Sequence, residues 1–190
     1  MKLLLHCCCA PCTVQCADDL LNEGIRPDLL WYNPNIHPYT EYTARRDALR
    51  QYAADRKLAL HVVDEYGLRD FIRGIFPGME AGNPAEGPSR CLWCYRARLD
   101  QAARLAAEGG YAGFSTTLLI SPWQNHEGIR RAAQEAAEKY GVEFRYRDFR
   151  PRFREGQEKA RALGLYRQKY CGCIFSEEER YLKKREPARA

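Results

Sequence analysis

Short apolar segments alternate with helical segments along most of this chain, and that alternation constrains the fold more than any other feature. Five segments are predicted to be strands, at residues 2–6, 29–33, 59–63, 111–117 and 143–147. Helical patterns lie between them, at residues 11–22, 41–56, 68–75, 91–108 and 124–140. Strands that alternate with helices at this spacing predict an α/β fold, in which four to five parallel strands form a doubly wound sheet.

The remaining segments are predicted to be a loop and a helical extension. Proline and glycine punctuate residues 77–88, which indicates the clearest long loop of the chain. Residues 145–190 are expected to be mainly helical, with Ser176 capping a helix over residues 177–185. Because 190 residues is near the usual size of one domain, we expect a single α/β domain over residues 1–190.

The basic charge is concentrated at the end of the chain. Residues 145–190 contain 14 Lys and Arg against 7 Asp and Glu, whereas residues 1–144 contain 16 against 18. A polyanionic partner explains this asymmetry, and a solvated helical surface explains it equally well. Since no segment has the apolar length of a membrane span or the pattern of a signal peptide, we expect a cytoplasmic protein without a membrane partner.

The chain has nine cysteines, which are expected to stay reduced in the cytoplasm. This expectation favours metal or redox chemistry over a disulfide framework. They fall into three groups and one separate position: Cys7, Cys8, Cys9 and Cys12; Cys91 and Cys94; Cys171 and Cys173; and Cys16. The first group follows the first strand at a helix N-terminus, where partial positive charge favours thiolate. Cys91 and Cys94 share one helix face and can bind one metal, whereas Cys16 lies among core positions and is expected to be buried.

Thiolate ligands alone do not choose the metal, because zinc and iron–sulfur clusters both accept four of them. Adjacent Cys8 and Cys9 are awkward for one tetrahedral zinc but suit a polynuclear cluster or two neighbouring metals. For Cys171 and Cys173 three interpretations stay open, namely a strained disulfide, ligation of a second metal, or packing. No glycine-rich phosphate loop follows the first strand, so we do not expect the protein to use ATP.

Five motifs in this order resemble the cobalamin-independent epoxyqueuosine reductases, the QueH-type family of tRNA queuosine biosynthesis. The motifs lie at residues 4–12, 32–42, 90–95, 116–122 and 166–173. The resemblance implies reduction of epoxyqueuosine to queuosine at the wobble position of tRNA, with an electron donor that the sequence does not identify. It also implies a Rossmann-like fold of the nucleotide alpha-hydrolase type and a [4Fe–4S] cluster with a further iron beside it.

The same resemblance assigns roles to individual residues. Metal-binding motifs are matched by Cys8, Cys9, Cys12, Cys91 and Cys94, and the C-terminal cysteine pair is matched by Cys171 and Cys173. Where the family often has an aspartate this chain has Gly67, so Asp64 or Asp148 would have to replace that carboxylate.

Our hypothesis from these residues is that Cys8, Cys9, Cys91 and Cys94 hold the cluster, with Cys12 ligating the adjacent metal or completing the set. The candidate catalytic residues are Cys12, Cys171, Cys173, His37 and Asp148. His37 is a proton donor or part of a structural loop, and Thr116, Thr117 and Ser121 bond substrate hydroxyls or cap the next turn. The candidate RNA-binding residues are Tyr166, Arg167, Lys169, Tyr170, Lys183 and Lys184.

Three other functions fit parts of the sequence. A tRNA sulfur-transfer enzyme has a similar fold but needs the phosphate loop that is missing here. A zinc-stabilised RNA-binding module fits the cysteines and the basic tail without any catalysis. A thiol–disulfide oxidoreductase fits Cys171 and Cys173 but leaves the first cysteine group unexplained.

Overall fold

In the computed structural model, which describes residues 2–81 and 89–182, five parallel strands form one sheet. The strands are β1 (Leu3–His6), β2 (Pro27–Trp31), β3 (Leu60–Val62), β4 (Gly113–Thr116) and β5 (Glu143–Phe144). Their spatial order is β3-β2-β1-β4-β5. In the central strand, Leu3 is paired with Pro27 of β2 and with Gly113 of β4. The predicted parallel α/β sheet is therefore confirmed.

Helices connect the strands and follow the last one. They are α1 (Ala10–Asn22), α2 (Tyr39–Asp55), α3 (Leu68–Ala81), α4 (Ser89–Glu108), α5 (His126–Tyr140), α6 (Phe153–Ala162) and α7 (Ile174–Leu182). Single 3-10 turns occupy Thr117–Ile120 and Arg150–Arg152. The predicted helical C-terminal extension corresponds to α6 and α7. Among the described residues, no helix has both the length and the apolar character to cross a membrane.

The core lies on both faces of β1. Leu3, Leu4 and Leu5 are all buried, as expected for a parallel strand that helices cover on both sides. Trp31 and Phe114 extend the same core along the neighbouring strands. Burying each of these side chains contributes about 1.5–3 kcal/mol, so the sheet is anchored from its centre.

The chain reverses its winding direction at the boundary between β1 and β4. From β1 it continues to β2 and β3 on one side, and only afterwards to β4 and β5 on the other. Beyond the carboxyl ends of two such strands the connections diverge and leave a crevice, which is where ligands bind in open α/β sheets. Cys8 and Thr117 lie at this crevice, directly after β1 and β4.

The predicted loop at residues 77–88 is partly wrong. Helix α3 continues through Pro77 and ends only at Ala81, and residues 82–88 lie outside the described part of the chain. A proline inside a helix removes one backbone hydrogen bond. Packing offsets that loss, because Phe71 and Ile75 of the same helix are buried against Trp93 of α4.

Ser176 does not cap the last helix, which begins at Ile174 instead of residue 177. Its hydroxyl accepts a hydrogen bond from the Gly172 N–H at 3.1 Å and donates one to the Cys173 carbonyl at 2.7 Å. The side chain therefore fastens the turn that carries Cys171 and Cys173. The end of the predicted helix, beyond residue 182, lies outside the described residues.

Candidate metal centre

Three cysteines after β1 form a thiol cradle, which we define as Cys8, Cys9 and Cys12. Their Sγ atoms all lie within 4.8 Å of one another. Cys9 is the residue before α1, and Pro11 occupies the first turn of that helix, so the backbone turns sharply and directs the three thiols inward. Within the described residues, this is the single group of three or more metal-ligating side chains so close together.

Residues from the loop after β2 and from the turn after β4 fix the backbone of the cradle. The side-chain amide of Asn33 donates to the Cys7 carbonyl at 2.9 Å. The backbone N–H of Cys8 donates to the Thr117 hydroxyl oxygen at 3.0 Å, and that hydroxyl donates to the Cys8 sulfur at 3.3 Å. Thr116 caps the turn at residues 117–120 by accepting from the Leu118 N–H. Both threonines thus bond the protein itself, in agreement with the capping interpretation.

Hydrogen bonds among the three thiols shift their pKa values in opposite directions. The pKa of Cys8 lies well below its usual range, because the thiols of Cys12 and Cys9 donate hydrogen bonds to it. Burial raises the pKa of Cys9, and the hydrogen bond to Cys8 raises that of Cys12. Three sulfur atoms this close together offer three soft donors to one cation, so the cradle fits a thiophilic metal.

The other four cysteines of the predicted site form a second group. Cys91, Cys94, Cys171 and Cys173 line a cavity of about 350 Å³. Burial raises the pKa of Cys94 far above its ordinary value and also raises that of Cys91, the latter further increased by Cys171. Cys91 and Cys94 thus share a cavity with the C-terminal pair, and their joint ligation of a cluster with Cys8 and Cys9 stays a prediction.

Cys171 and Cys173 have free thiols and form no disulfide with each other or with any of the other seven cysteines. The turn between them needs glycine, since Gly172 has φ of +152°. A Cβ atom there would lie 3.2 Å from the Ile36 side chain and 3.4 Å from Arg45. The predicted disulfide is therefore not formed in this structure.

A larger cavity of about 550 Å³ opens above the cradle. Cys8 and Cys12 line its floor, and its walls carry the basic residues Arg45, Arg98, Arg167, Lys169 and Arg180. Trp123, Gln124 and Cys171 line both this cavity and the smaller one, so the two adjoin along these three residues. Together they provide a positively charged recess with thiols at its base.

Side-chain N–H groups point at the sulfurs in both groups. Gln168 donates to Cys9 Sγ at 2.9 Å, and Gln124 donates to Cys171 Sγ at 3.1 Å. Arg98, which is only 2 % exposed, donates to Cys94 Sγ at 2.7 Å. Such donors stabilise negative charge on sulfur.

Sequence reasoning did not single out Arg98, Gln124 or Trp123. Arg98 follows Cys94 by four residues on α4, so it lies on the same helix face. That spacing is a signal that the sequence does contain. The contact between Gln124 and Cys171 joins residues 47 positions apart and has no such local signal.

The C-terminal cysteine turn is held against α2 and the loop after β2. Arg45 forms an ion pair with Glu41 at 2.7 Å and donates to the carbonyls of Cys171 and Tyr170 at 2.7 and 3.0 Å. The His37 N–H donates to the Gly172 carbonyl at 2.8 Å. These bonds fix the position of Cys171 at the junction of the two cavities.

His37 lines neither of the two cavities. Its ring is fully buried and packs against Phe71 at 4.9 Å and Tyr66 at 5.6 Å between ring centroids. Neither ring nitrogen has a hydrogen-bond partner among the described residues, and burial lowers the pKa of His37 from 6.5 to about 4. The neutral imidazole therefore fits the structural interpretation of this loop better than proton donation.

The candidate carboxylates are also remote from the thiols. Asp148 is held by Arg150 at 2.6 Å, which lowers its pKa to about 2, and Asp64 is held by Arg46 at 2.8 Å. Neither lines the two cavities that contain the cysteines, and no side chain fits at Gly67, where a Cβ atom would lie 2.4 Å from Pro34 Cβ. The predicted catalytic role of Asp148 therefore has no support in this geometry.

The candidate RNA-binding residues have different surroundings. Arg167 and Lys169 are exposed on the larger cavity. The hydroxyl of Tyr166 bonds Glu41, and that of Tyr170 donates to the His37 carbonyl at 2.7 Å, so both tyrosines help to hold the C-terminal segment. Lys183 and Lys184 lie outside the described residues.

Comparison with known proteins agrees with the resemblance in the motifs. The family model described as epoxyqueuosine reductase QueH matches residues 3–179. Proteins named epoxyqueuosine reductase QueH from Dehalococcoides mccartyi and Thermotoga maritima are 37% and 36% identical to the chain. The alignments cover 98% of this chain in both cases, and 98% and 96% of the respective relatives.

A solved structure supports the fold alone. The predicted subunit of tRNA methyltransferase from Methanocaldococcus jannaschii matches with a TM-score of 0.53 and 12% identity, over 97% of this chain and 88% of that one. The sequence matches, which cover nearly the whole chain, decide the assignment. The chain belongs to the epoxyqueuosine reductase QueH family.

Proposed function

We propose that this protein reduces epoxyqueuosine to queuosine in tRNA, at a cobalamin-independent iron–sulfur centre held by its clustered cysteines. The observation that carries the proposal is the thiol cradle at the floor of a basic cavity, in a chain of this family. Opening the epoxide to an alkene consumes two electrons and two protons and releases the oxygen as water. The reaction therefore needs an electron source and a group that polarises the carbon–oxygen bond.

The residues present fit such a centre. Cys8, Cys9 and Cys12 would hold one part of it, and Cys91 and Cys94 are the thiols of the adjoining cavity that would hold a further iron. When bound, an iron–sulfur centre with an open coordination position supplies electrons one at a time and Lewis acidity at the oxygen. Nine free thiols are consistent with a reducing, cytoplasmic location.

The protein's own residues bind and orient the substrate. A cavity of about 550 Å³ lies within the size range of ordinary ligand pockets, and it admits one extruded nucleoside. Arg167, Lys169 and Arg180 on its walls attract the phosphates that flank the nucleoside. Phosphate contacts fix the register of the RNA, so that the modified base faces the thiols at the floor.

Arg98 adjusts the charge of the centre. Its guanidinium is buried, bonds Cys94 Sγ and lines the larger cavity together with Cys8. A fixed positive charge in a low-dielectric site stabilises thiolates and lowers the free energy of adding an electron nearby. Two side-chain amides also stabilise negative charge on sulfur, since Gln168 donates to Cys9 and Gln124 donates to Cys171.

Metal loading of cysteine variants tests the centre. Cys8→Ala removes one sulfur of the cradle, whereas Cys16→Ala removes a fully buried cysteine on α1 that lies outside it. After anaerobic reconstitution with iron and sulfide, we expect Cys16→Ala to keep the brown absorption of a cluster and Cys8→Ala to lose it. Full cluster content in Cys8→Ala would refute the ligand assignment, and a colourless zinc-loaded protein would favour the RNA-binding module instead.

A further inference from the structure

Trp123 stands out as an aromatic side chain that the proposed chemistry does not use. Its side chain is 79% exposed, the highest value for a large hydrophobic residue in the described part of the chain. Isolated exposed hydrophobic residues are common and need no explanation by themselves. The position of Trp123 is different, because it lines both cavities of the cysteine site.

The segment that carries Trp123 is firmly anchored despite this exposure. The Trp123 backbone N–H donates to the Ser121 hydroxyl at 3.4 Å. The ring of Phe153 meets the indole edge-on, with centroids 5.0 Å apart and planes at 90°. The next residue, Gln124, accepts a hydrogen bond from Tyr95 at 2.7 Å. The indole is therefore held at a fixed position on the rim.

Other aromatic rings that line the cavities are buried or are bonded to other residues of the protein. Tyr170 donates to the His37 carbonyl and packs over the Arg45 guanidinium at 5.6 Å. Tyr95 is 2% exposed, and Phe71 is fully buried. Among the lining residues that the structure describes, Trp123 is the aromatic side chain with most of its surface open to the cavity mouth.

The charge around this ring points to the chemistry of its partner. Arg167, Lys169 and Arg180 share the larger cavity with Trp123, so an anionic ligand is favoured. A flat aromatic ligand that is also anionic matches an unpaired nucleotide, since proteins bind single-stranded RNA with stacked aromatic rings beside cations. A lipid headgroup provides no flat ring, and an ordinary peptide does not place an anion beside each ring as an RNA strand does.

We propose that Trp123 is a stacking platform for an unpaired nucleobase next to the modified nucleoside. This inference rests on the proposed function, because it takes the cavity as the place where the tRNA loop enters. Stacking on Trp123 keeps the loop open while the neighbouring nucleoside reaches the thiols. Trp123 is therefore a substrate-positioning residue and has no part in the electron transfer.

Binding of an anticodon stem–loop RNA to the full-length protein tests this proposal. Trp123→Ala should weaken binding roughly 5- to 150-fold, the range for loss of one stacked base, and Trp123→Phe should keep most of the affinity. A matched control is Tyr146→Ala, which removes an exposed aromatic ring that lines neither cavity. Binding of a loop-free RNA duplex should be the same in all variants.

Tryptophan fluorescence gives an independent measurement on the unmodified protein. Trp31 is fully buried and Trp93 is half-buried, so the emission that acrylamide quenches most readily comes from Trp123. Added stem–loop RNA should protect that emission from acrylamide, and loop-free duplex should not.

Two results would overturn the inference, and they are distinguishable from failure of the proposed function. If wild-type protein binds and converts modified tRNA while Trp123→Ala binds as tightly, the stacking role is wrong and the function stands. If stem–loop RNA leaves the exposed emission unprotected, the stacking role is also wrong. If wild-type protein fails to bind the stem–loop at all, both proposals fail together.

Discussion

Replacing Arg45 with methionine should release the C-terminal cysteine turn from the body of the protein. Arg45 is 2% exposed on α2, where its guanidinium bonds Glu41 and the carbonyls of Cys171 and Tyr170. Glu41 lies four residues before Arg45 on the same helix face, but no local sequence signal brings the two carbonyls to Arg45. The substitution therefore tests whether a buried cation, rather than the turn itself, positions Cys171 at the site.

The magnitude follows from the contacts. Removing one partner of a buried ion pair costs about 3–5 kcal/mol, because Glu41 keeps a charge that no cation then balances. Hydrogen bonds from a charged donor contribute about 1.5–3 kcal/mol each, but they are not additive with the ion pair. We expect the free energy of unfolding to fall by about 4 kcal/mol. The free energy needed to open the cysteine turn alone should fall by about 2 kcal/mol.

Two assays separate the global and local effects. Urea unfolding measures the global change. Hydrogen exchange at the His37 amide measures the local one, since that N–H donates to the Gly172 carbonyl. A decrease of about 2 kcal/mol in the free energy of local opening corresponds to roughly 30-fold faster exchange of the His37 amide hydrogen. Arg46→Met is the matched control, because Arg46 pairs with the half-exposed Asp64 and should change stability by about 1 kcal/mol or less.

The reasoning would be refuted if Arg45→Met and Arg46→Met destabilised the protein equally. It would also be refuted if Arg45→Met lowered the free energy of unfolding without accelerating exchange at His37. In that case Arg45 would stabilise the fold in general and would not act on the cysteine turn.

Two further predictions concern buried groups. Arg98→Met should destabilise the metal-free protein less than Arg45→Met does, because Arg98 bonds the Cys94 carbonyl and sulfur and no carboxylate. It should nevertheless reduce the iron retained per chain, and a strongly destabilised apoprotein with normal iron content would contradict this. His37 has its pKa lowered from 6.5 to about 4 by burial, so the unfolded state takes up the proton first as the pH falls. Stability from this residue should be complete above pH 6.5 and fall by up to about 3 kcal/mol by pH 4. Urea unfolding of His37→Gln should show a correspondingly weaker pH dependence, and an identical dependence would contradict the assignment.

The sheet and most helices follow from the sequence because their signals are local. The apolar run at residues 3–5, the helix start at Ala10 and Pro11, and the glycine that ends α5 at Gly141 all act within a few residues. Helix α3 was underestimated because its extension depends on packing of Phe71 and Ile75 against α4. Ser176 was misjudged because its partners, Gly172 and Cys173, precede the helix and depend on the cysteine turn.

The sequence predicted which cysteines surround the crevice, but not the side chains that hold them there. Spacing along the chain correctly placed Cys8, Cys9 and Cys12 at one crevice, since the three lie within one turn. It could not show that Cys91 and Cys94 line one cavity with Cys171 and Cys173, because Arg45 and Gln124 hold Cys171 from positions far away in the sequence. It likewise gave no sign that Trp123 lies on the rim of both cavities.

Conversion of the modified nucleoside tests the central claim most directly. Protein loaded anaerobically with iron and sulfide would be incubated with a chemical reductant and tRNA that carries epoxyqueuosine. The tRNA would then be digested, and the masses of its nucleosides would be measured by mass spectrometry. We predict a product that is lighter by one oxygen atom, formed by wild-type protein and by Cys16→Ala but not by Cys8→Ala. Unchanged epoxyqueuosine with folded, metal-loaded wild-type protein that binds the tRNA would contradict the account.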